Sequence, residues 1–590
     1  VIPRPRLWLA ALYVAGALLI PFVLSSYTLT LMGYVGMAAL IALGLVILTG
    51  VGGLTSFGQA AFAGMGAYAS AVLTTRFGFD PWLGLLAALL ASGGLALLLG
   101  AATLRLPGHL LPLSTIAWGL AIFYLFGDLD LTGGHNGITN IPAPALFGHA
   151  IAGPRATFWL IAAFLGVALA LSANLLAGRA GRAIRALRGG TAMAESLGIA
   201  PQPLRLAVFV LAGLYAGASG WLLAHTQRFV SPPAFDVGPG IEYLFMAMLG
   251  GAGQIWGALL GAFVVVVARD SLQDWLGFFV SNSGQAEIVV FGAMFIALLQ
   301  LAPGGLIPAA ARLLPRRRKP APPPTDAAAL PRRAMPPRGT IVLEAHHLIR
   351  RFGGLVAVND VGFTLASGEI LGLIGPNGAG KSTLFNLLTG TLPPSAGRVR
   401  FLGHETAGSP APAIARLGMA RTFQHVKLRP RMSVLENVML GAYLRTRGGV
   451  LAGMFGLGRA DERRAAAEAM RALARVGLAA MAGDQAGSLA LGQQRLLEVA
   501  RALAADPVLL VLDEPAAGLR AGEKAELAAL LASLRDDGVA ILLVEHDMGF
   551  VMGLVDRLVV MDFGTRIAEG APEAVRADAR VQEAYLGGVA

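Results

Sequence analysis

The sequence predicts a multi-domain chain: an α-helical polytopic membrane domain of about eight to ten spans, followed by a soluble α/β domain. Three observations predict it. The 590 residues are 55% hydrophobic with a mean hydropathy of +0.66, more apolar than a soluble surface tolerates. The apolar residues are unevenly spread, with runs of Leu, Ala, Val, Gly and Phe up to about Leu314 and frequent charges beyond Gly339. Between the halves lies "PRRRKPAPPPTDAAALPRRAMPPRG", proline-rich and basic. The expected organisation is a transmembrane domain over 1–314, a linker over 315–339 and a globular domain over 340–590.

Composition excludes several functions. Cysteine is absent, which removes disulfides, thiol catalysis and cysteine-ligated zinc or iron–sulfur sites. The net charge of +11 raises nucleic acid as a partner. Much of the excess, however, sits in Arg179 to Arg188, in "RRRK" (316–319) and in Arg332, Arg333 and Arg338, beside apolar segments. There it reads as the cytoplasmic-side signal of a membrane protein, and the expected surroundings are lipid, not nucleic acid.

In the membrane half, with roughly 20 apolar residues needed per span, the candidates are 7–24, 31–49, 59–74, 82–104, 112–127, 156–177, 204–224, 238–250, 254–269 and 287–302. The first begins at Leu7 after Arg4 and Arg6 and lacks a small-residue cleavage site before a polar mature domain, so it is expected to be retained. With a cytoplasmic amino terminus, the arginine clusters at Arg179 and Arg316 both fall inside. Arg179, Arg182, Arg185 and Arg188 stand three apart. They fit either a short amphipathic helix beneath the membrane or a solvated loop whose charges set topology, and as exposed charges they are expected to add little to docking. Glycine-rich stretches interrupt the spans at 48–70 and 249–262. Close helix packing explains them; irregular backbone lining a cavity is the alternative, with Ser56, Gln59, Glu242 and Gln254 as candidates for a translocation path.

The linker has too little apolar surface to fold by itself and is expected to be an extended, passive spacer. After it, an apolar strand at 370–374 runs into "GPNGAGKS" (375–382), which fits G-x-x-x-x-G-K-[ST] in its strand–loop–helix context. Backbone N–H groups and a helix amino terminus there surround phosphate oxygens, Lys381 reaches the β- and γ-phosphates, and Ser382 holds Mg²⁺. The predicted nucleotide contacts are Gly375, Pro376, Asn377, Gly378, Ala379, Gly380, Lys381, Ser382 and Thr383. Further on, "VLLVLDEP" (508–515) is an apolar strand ending in two carboxylates. Asp513 is expected at the metal and Glu514 at the attacking water, so a nucleoside triphosphate and Mg²⁺ are the expected cofactors.

The blocks "GGLTSFGQAAFAGMGAYA" (52–69), "LTGGHNGI" (131–138), "GRAGRAIRALRGGTAMAESLGI" (178–199) and "EYLFMAMLGGAGQIWGALLGA" (242–262), in that order, resemble the membrane subunits of branched-chain amino-acid ABC importers. Residues 340–588 resemble an ABC ATPase domain, and most closely the ATP-binding subunits of the same importers. The resemblance implies that the third block is the coupling helix that docks on the ATPase. It also implies that the nucleotide is ATP, that Phe352 stacks on adenine, that Gln424 in "RTFQHVKL" senses Mg²⁺ and the attacking water, and that His546 in "LLVEHDM" contacts the γ-phosphate. "LALGQQRLLEVARAL" (489–503) takes the signature position, with Gly492 and Gln493 facing nucleotide. Ala490 and Leu491 replace the usual serine and glycine there, and Arg520 stands where the D-loop has Asp or Asn. Gly189, Gly190 and Thr191 stand where relatives carry an acidic pair.

The implied function is ATP-driven import of small solutes, foremost branched-chain amino acids, by a permease fused to its ATPase. Urea, short amides and aromatic acids are the alternative solutes, and a membrane-anchored ATPase or an exporter the alternative classes. The implied partners are a second permease and a second ATPase, or a second copy of the chain, together with an extracytoplasmic solute-binding protein. The implied location is a bacterial inner membrane with the ATPase in the cytoplasm.

Overall fold

The structure, a computed structural model, describes residues 4–106, 110–188, 190–277, 290, 292–293, 296–297, 300–313 and 327–586. Two compact units result: Val1–Ala177 with Gln202–Arg317, and Gly178–Pro201 with Arg318–Ala590.

The first unit is helical. Among the described residues, six helices are long and apolar enough to cross a membrane: Ser26–Val51, Pro81–Thr103, Leu110–Asp128, Pro154–Ala177, Pro201–Gln227 and Ile255–Leu272. Eight to ten spans are expected over the whole membrane half; six helices meet this measure among the described residues. Gln59–Arg76 has 18 residues, rich in Ala, Gly, Ser and Thr, and Val237–Gly251 has only 15. Trp8–Val23 is a shorter apolar stretch, and half of the candidate 287–302 lies outside the described residues.

Small residues account for the tight helix pairs in this unit. A Cβ on Gly66 would strike the backbone of Gly217, and one on Gly261 the carbonyl of Met246, so these helices approach as only glycine permits. The first glycine-rich stretch also breaks the helix. Val46–Val51 is π-helical, and the backbone stays irregular until helix Gln59–Arg76 begins. Ser56 and Gln59 at that break are fully buried, and Ser56 Oγ and both Gln59 amide atoms have no hydrogen-bond partner among the described residues. Glu242 instead pairs with Arg269 at 3.0 Å, and Gln254 is exposed.

The second unit is α/β. Its six-stranded sheet runs in the order Met419–Arg421, Leu509–Asp513, Ala540–Val544, Ile370–Ile374, Arg557–Asp562, Thr565–Gly570. All neighbours are parallel except the last pair. The three central strands are buried along their whole length, as their unbroken apolar runs require of strands covered on both faces. A four-stranded antiparallel sheet, Leu355–Ala366, Ile341–Phe352, Ala396–Phe401 and His404–Glu405, stands beside it.

Two segments from elsewhere in the chain belong to this unit. Residues 178–201 contribute helices Arg179–Leu187 and Thr191–Ser196. Residues 327–339 lack regular structure but are not a free spacer: Leu330 is 2% exposed, within the core that holds Val438, Leu473 and Leu503. The proline-rich stretch cannot build a core, yet it adds a side chain to one already built.

Candidate functional site

The loop 375–380 leaves the buried strand Ile370–Ile374 and enters helix Lys381–Leu388. Gly375 has a φ of 151° and Gly380 one of 94°. A Cβ on the first would strike the carbonyl of Met561, and one on the second that of Ala357, so glycine is required at both. The loop is supported from behind, where Gly564 N–H donates to Ala379 O at 3.1 Å. Lys381 Nζ donates to the carbonyls of Gly375 at 2.7 Å and Pro376 at 2.8 Å. Burial lowers the Lys381 pKa, and the nearby Glu514 and Asp513 carboxylates oppose that shift. Asn377, Gly378 and Ser382 are exposed, and Pro376 and Thr383 half-buried.

Strand order decides what meets this loop. Ala540–Val544 lies between the loop strand and Leu509–Asp513, so the carboxyl ends of three parallel strands bring the loop, the acidic pair and His546 to one edge. Asp513 is 5% exposed. Burial raises its pKa, and Arg421, with Nη2 4.0 Å from Oδ2, works against the rise. Arg421 is itself fixed by Asn386 Oδ1 and Thr389 Oγ1, both 2.8 Å from Nη1.

Glu514 adopts a φ of 49°, a left-handed conformation that costs a non-glycine residue about 1 kcal/mol. Its backbone N–H donates to Val544 O at 2.8 Å, which turns the side chain out of the strand. Glu514 Oε1 accepts from Gln424 Nε2 at 3.2 Å, and Oε2 lies 3.9 Å from His546 Nδ1. Glu514, Gln424 and His546 thus converge from three separate elements. Behind them the buried Glu545 accepts the N–H of Ala516 at 2.6 Å and that of His546 at 3.1 Å. It ties the segment after Glu514 to the histidine.

Ser382, Gln424 and Asp513 offer a hydroxyl, an amide oxygen and a carboxylate, an all-oxygen set suited to Mg²⁺ bound alongside phosphate. Phe352 ends its strand with an exposed ring, over which the Arg350 guanidinium lies at 4.6 Å. Gly492 and Gln493 open helix Leu491–Leu503, where Gln493 Oε1 accepts the N–H of Ala490 at 3.2 Å. Among the described residues no hydrogen bond or ion pair joins them to loop 375–383, so the structure does not bring them to the site in this chain.

Helix Arg179–Leu187 lies in a groove of the same unit, against helices Val434–Gly441 and Val450–Met454. Ile184 and Leu187 are buried, as are Leu197 and Ile199 beyond it. The expectation that its arginines are mere exposed charges is corrected. Arg182 is 4% exposed and donates to Glu462 Oε2 at 2.6 Å. Arg179 stacks 3.5 Å above the Tyr443 ring and donates to the carbonyls of Tyr443 at 2.9 Å and Gly448 at 2.6 Å. Arg185 pairs with Glu436 at 3.1 Å. Burial lowers the Arg179 pKa, while Tyr443 and Glu462 raise it.

Sequence reasoning missed the receiving side: Tyr443, Glu462 and Glu436. It also missed the buried pair Glu498–Arg501, 2.9 Å apart, which binds Lys427 N–H at 2.8 Å and Lys427 O at 2.8 Å and so fastens the segment after Gln424 to helix Leu491–Leu503. A signal existed for that pair, because Glu498 and Arg501 fall three apart inside the apolar run "LLEVARAL", where unpaired charges are not tolerated.

Residues 358–517 match the family described as ABC transporter. The fold and site therefore define an ATP-binding cassette ATPase carried on a helical membrane unit. Residues 27–299 match the family described as branched-chain amino acid transport system / permease component, and residues 565–590 that described as branched-chain amino acid ATP-binding cassette transporter. LivG of Escherichia coli (strain K12), a high-affinity branched-chain amino acid transport ATP-binding protein, is 46% identical over 251 residues, covering 42% of this chain and 98% of LivG. The corresponding protein BraF of Pseudomonas aeruginosa is 45% identical over 249 residues, 42% of this chain and 98% of BraF. A probable LivG of Archaeoglobus fulgidus is 35% identical over 248 residues, 42% of this chain and 95% of its own. The chain belongs to the branched-chain amino-acid family of ABC transporters, with a permease and an ATP-binding component in one polypeptide. It is a membrane protein that binds ATP and couples its hydrolysis to transport.

Proposed function

We propose that this chain imports branched-chain amino acids as the fused permease and ATPase of a larger complex. The observation that carries the reading is the seating of helix Arg179–Leu187 on the same unit that holds the nucleotide site. Gln424 bonds Glu514 at the site, and the chain then runs through Ser433, whose hydroxyl caps helix Val434–Gly441, to Glu436 on Arg185. A shift of Gln424 on hydrolysis therefore has a short route, covalent as far as Glu436 and then through its ion pair with Arg185, to the helix that leads into the membrane unit.

In this reading, loop 375–383 cradles the phosphates with its N–H groups, Lys381 leaves the loop carbonyls for the β- and γ-phosphates, and Phe352 stacks on adenine. Glu514 orients the attacking water and accepts its proton, and His546 donates to the γ-phosphate. Ser382, Gln424 and Asp513 hold Mg²⁺, which neutralises phosphate charge when bound. Gly492 and Gln493 serve the nucleotide of a second ATPase, so the chain needs either a second copy or a second permease and a second ATPase. Ala490 in place of a serine donor and Arg520 in the D-loop favour the mixed assembly, whose two sites need not be alike.

The membrane domain is read as residues 1–314, the linker as 315–339 and the ATPase domain as 340–590. The complex lies in the inner membrane of a bacterium with the ATPase in the cytoplasm, and takes solute from an extracytoplasmic binding protein. The test is reconstitution of the complex in lipid vesicles with that protein. Leucine, isoleucine or valine should raise ATP turnover and enter the vesicles. Stimulation by urea, short amides or aromatic acids alone would overturn the substrate, and stimulation by no loaded binding protein would overturn import. The mass of the intact complex separates the two assemblies.

A further inference from the structure

Residues 327–339 form a strap along the ATPase, and their contacts gather at one place. Arg445, with a side chain 6% exposed, donates through Nη2 to the carbonyls of Leu330 at 3.3 Å and Pro331 at 3.2 Å. Through Nη1 it reaches Glu468 Oε1 at 2.9 Å and Ala504 O at 3.0 Å, the cap of helix Leu491–Leu503. Asp506 closes the far side, accepting the N–H of Arg333 at 2.5 Å and lying 4.0 Å from Arg445 Nη2. Arg333 Nη1 donates to Arg416 O at 2.9 Å, and Pro336 O accepts from Ser367 Oγ at 3.1 Å.

Arg445 closes the short turn Ala442–Arg445. The two residues before it hold the coupling segment, Tyr443 under Arg179 and Leu444 against Gly198, where a Cβ would force the leucine side chain to move. One four-residue turn thus grips the coupling segment with its middle and the strap with its end. A 3₁₀ turn has poor hydrogen-bond geometry of its own, so its shape depends on what its side chains are fastened to. The planar Arg445 guanidinium is fastened on several sides at once, and two of those acceptors belong to the strap.

We propose that the strap is a positioning element of coupling: by anchoring Arg445 it holds the turn Ala442–Arg445 in the shape that grips helix Arg179–Leu187. The linker of this fused chain then does more than tether. The proposal rests on the reading that the groove around this helix transmits the energy of hydrolysis. Its structural half, the hold on the turn, can be measured separately.

The experiment uses the full chain in its complex, in lipid vesicles. In one variant residues 328–335 become a Gly/Ser stretch of equal length, which keeps the tether and removes the anchor; in another Leu330→Asp disrupts the strap at a single position. In a third, a protease site between Pro323 and Pro324 is cut, leaving the strap attached to the ATPase. Amide exchange at residues 442–446, solute moved per ATP and ATP affinity are measured in each. The first two should speed exchange about tenfold and lower solute per ATP several-fold at unchanged ATP affinity, while the cut chain matches the parent. Unchanged exchange in both strap variants would overturn the proposal, as would faster exchange with normal coupling. If either strap variant fails to fold, Leu330→Ala, which only trims the buried side chain, replaces it under the same criteria. If the parent moves no solute the importer reading fails, and exchange alone decides whether the strap holds the turn.

Discussion

Glu462 uses both carboxylate oxygens on one helix: Oε2 accepts from Arg182 Nη1 at 2.6 Å, and Oε1 accepts the backbone N–H of Arg179, the first residue of helix Arg179–Leu187. One side chain thereby neutralises a buried guanidinium and satisfies an orphan donor at a helix amino terminus, where negative charge is also favoured by the dipole. The Arg182 side chain is 5% exposed and that of Glu462 25%, so water screens this pair only from one side.

Removing the carboxylate should therefore hurt more than removing a surface charge. Breaking a fully buried pair costs about 3–5 kcal/mol, and the partial exposure of Glu462 lowers the expectation to about 2 kcal/mol. Glu462→Ala should reduce solute moved per ATP at least about tenfold while ATP affinity stays near that of the parent. Arg464→Gln, on an exposed residue two positions beyond Glu462, should change coupling little. Vesicle uptake measured alongside ATP turnover decides, and normal coupling in Glu462→Ala would remove the pair from the mechanism.

For hydrolysis, the bond from Gln424 and the approach of His546 orient the Glu514 carboxylate. Glu514→Gln preserves shape and loses the proton acceptor, so turnover should fall by about 10²–10⁴ with ATP still bound. Lys381→Ala should weaken ATP binding as well, since the ammonium is the cation inside the loop. Equilibrium binding of labelled ATP beside steady-state turnover separates the two, and near-parental turnover in Glu514→Gln would exclude the residue as the base.

These outcomes mark what was legible. The loop 375–382 and the Asp513–Glu514 pair could be read because each is one continuous stretch whose chemistry demands glycine, lysine or carboxylate at fixed offsets. Their meeting with Gln424 and His546 depended on strand order, and only the resemblance supplied it. Glu462 could not be read: in "ADERRAAAEAM" it looks like any acidic residue in the first turn of a helix, and its partner lies 280 positions away. The spacing of the arginines at 179–188 fits a helix or a solvated loop alike, only the resemblance favours the helix, and spacing does not say which face a groove will cover. The linker misled for a related reason, because composition reports whether a segment can build its own core and not whether Leu330 can enter another.

The break before helix Gln59–Arg76 gives a prediction of opposite sign for stability and function. A buried amide with no partner costs roughly 1–3 kcal/mol, so replacing it with an apolar group of similar shape is neutral or stabilising. If Gln59 is kept in order to meet solute or water in the translocation path, Gln59→Leu should raise the midpoint of thermal unfolding in detergent and still lower uptake severalfold. A fall in stability would mean that the amide has a structural partner. Unchanged uptake would return the stretch to helix packing alone.

The groove itself can be tested with a single charge. Leu187 and Leu197 are 4% and 6% exposed, on either side of Gly190, and Met193 and Ala194 between them are buried against the ATPase unit. An aspartate at either position puts a charge where a buried apolar side chain sits, at a cost of several kcal/mol, enough to expel the segment. Leu187→Asp and Leu197→Asp should therefore leave ATP binding and membrane insertion intact, while solute-stimulated turnover drops to the basal rate. Leu187→Met, which keeps volume and polarity, should cost less than about 1.5 kcal/mol and retain coupling. Normal uptake in both Asp variants would mean that the segment touches the ATPase without transmitting anything, and that the route from Gln424 to Arg185 is not the path of coupling.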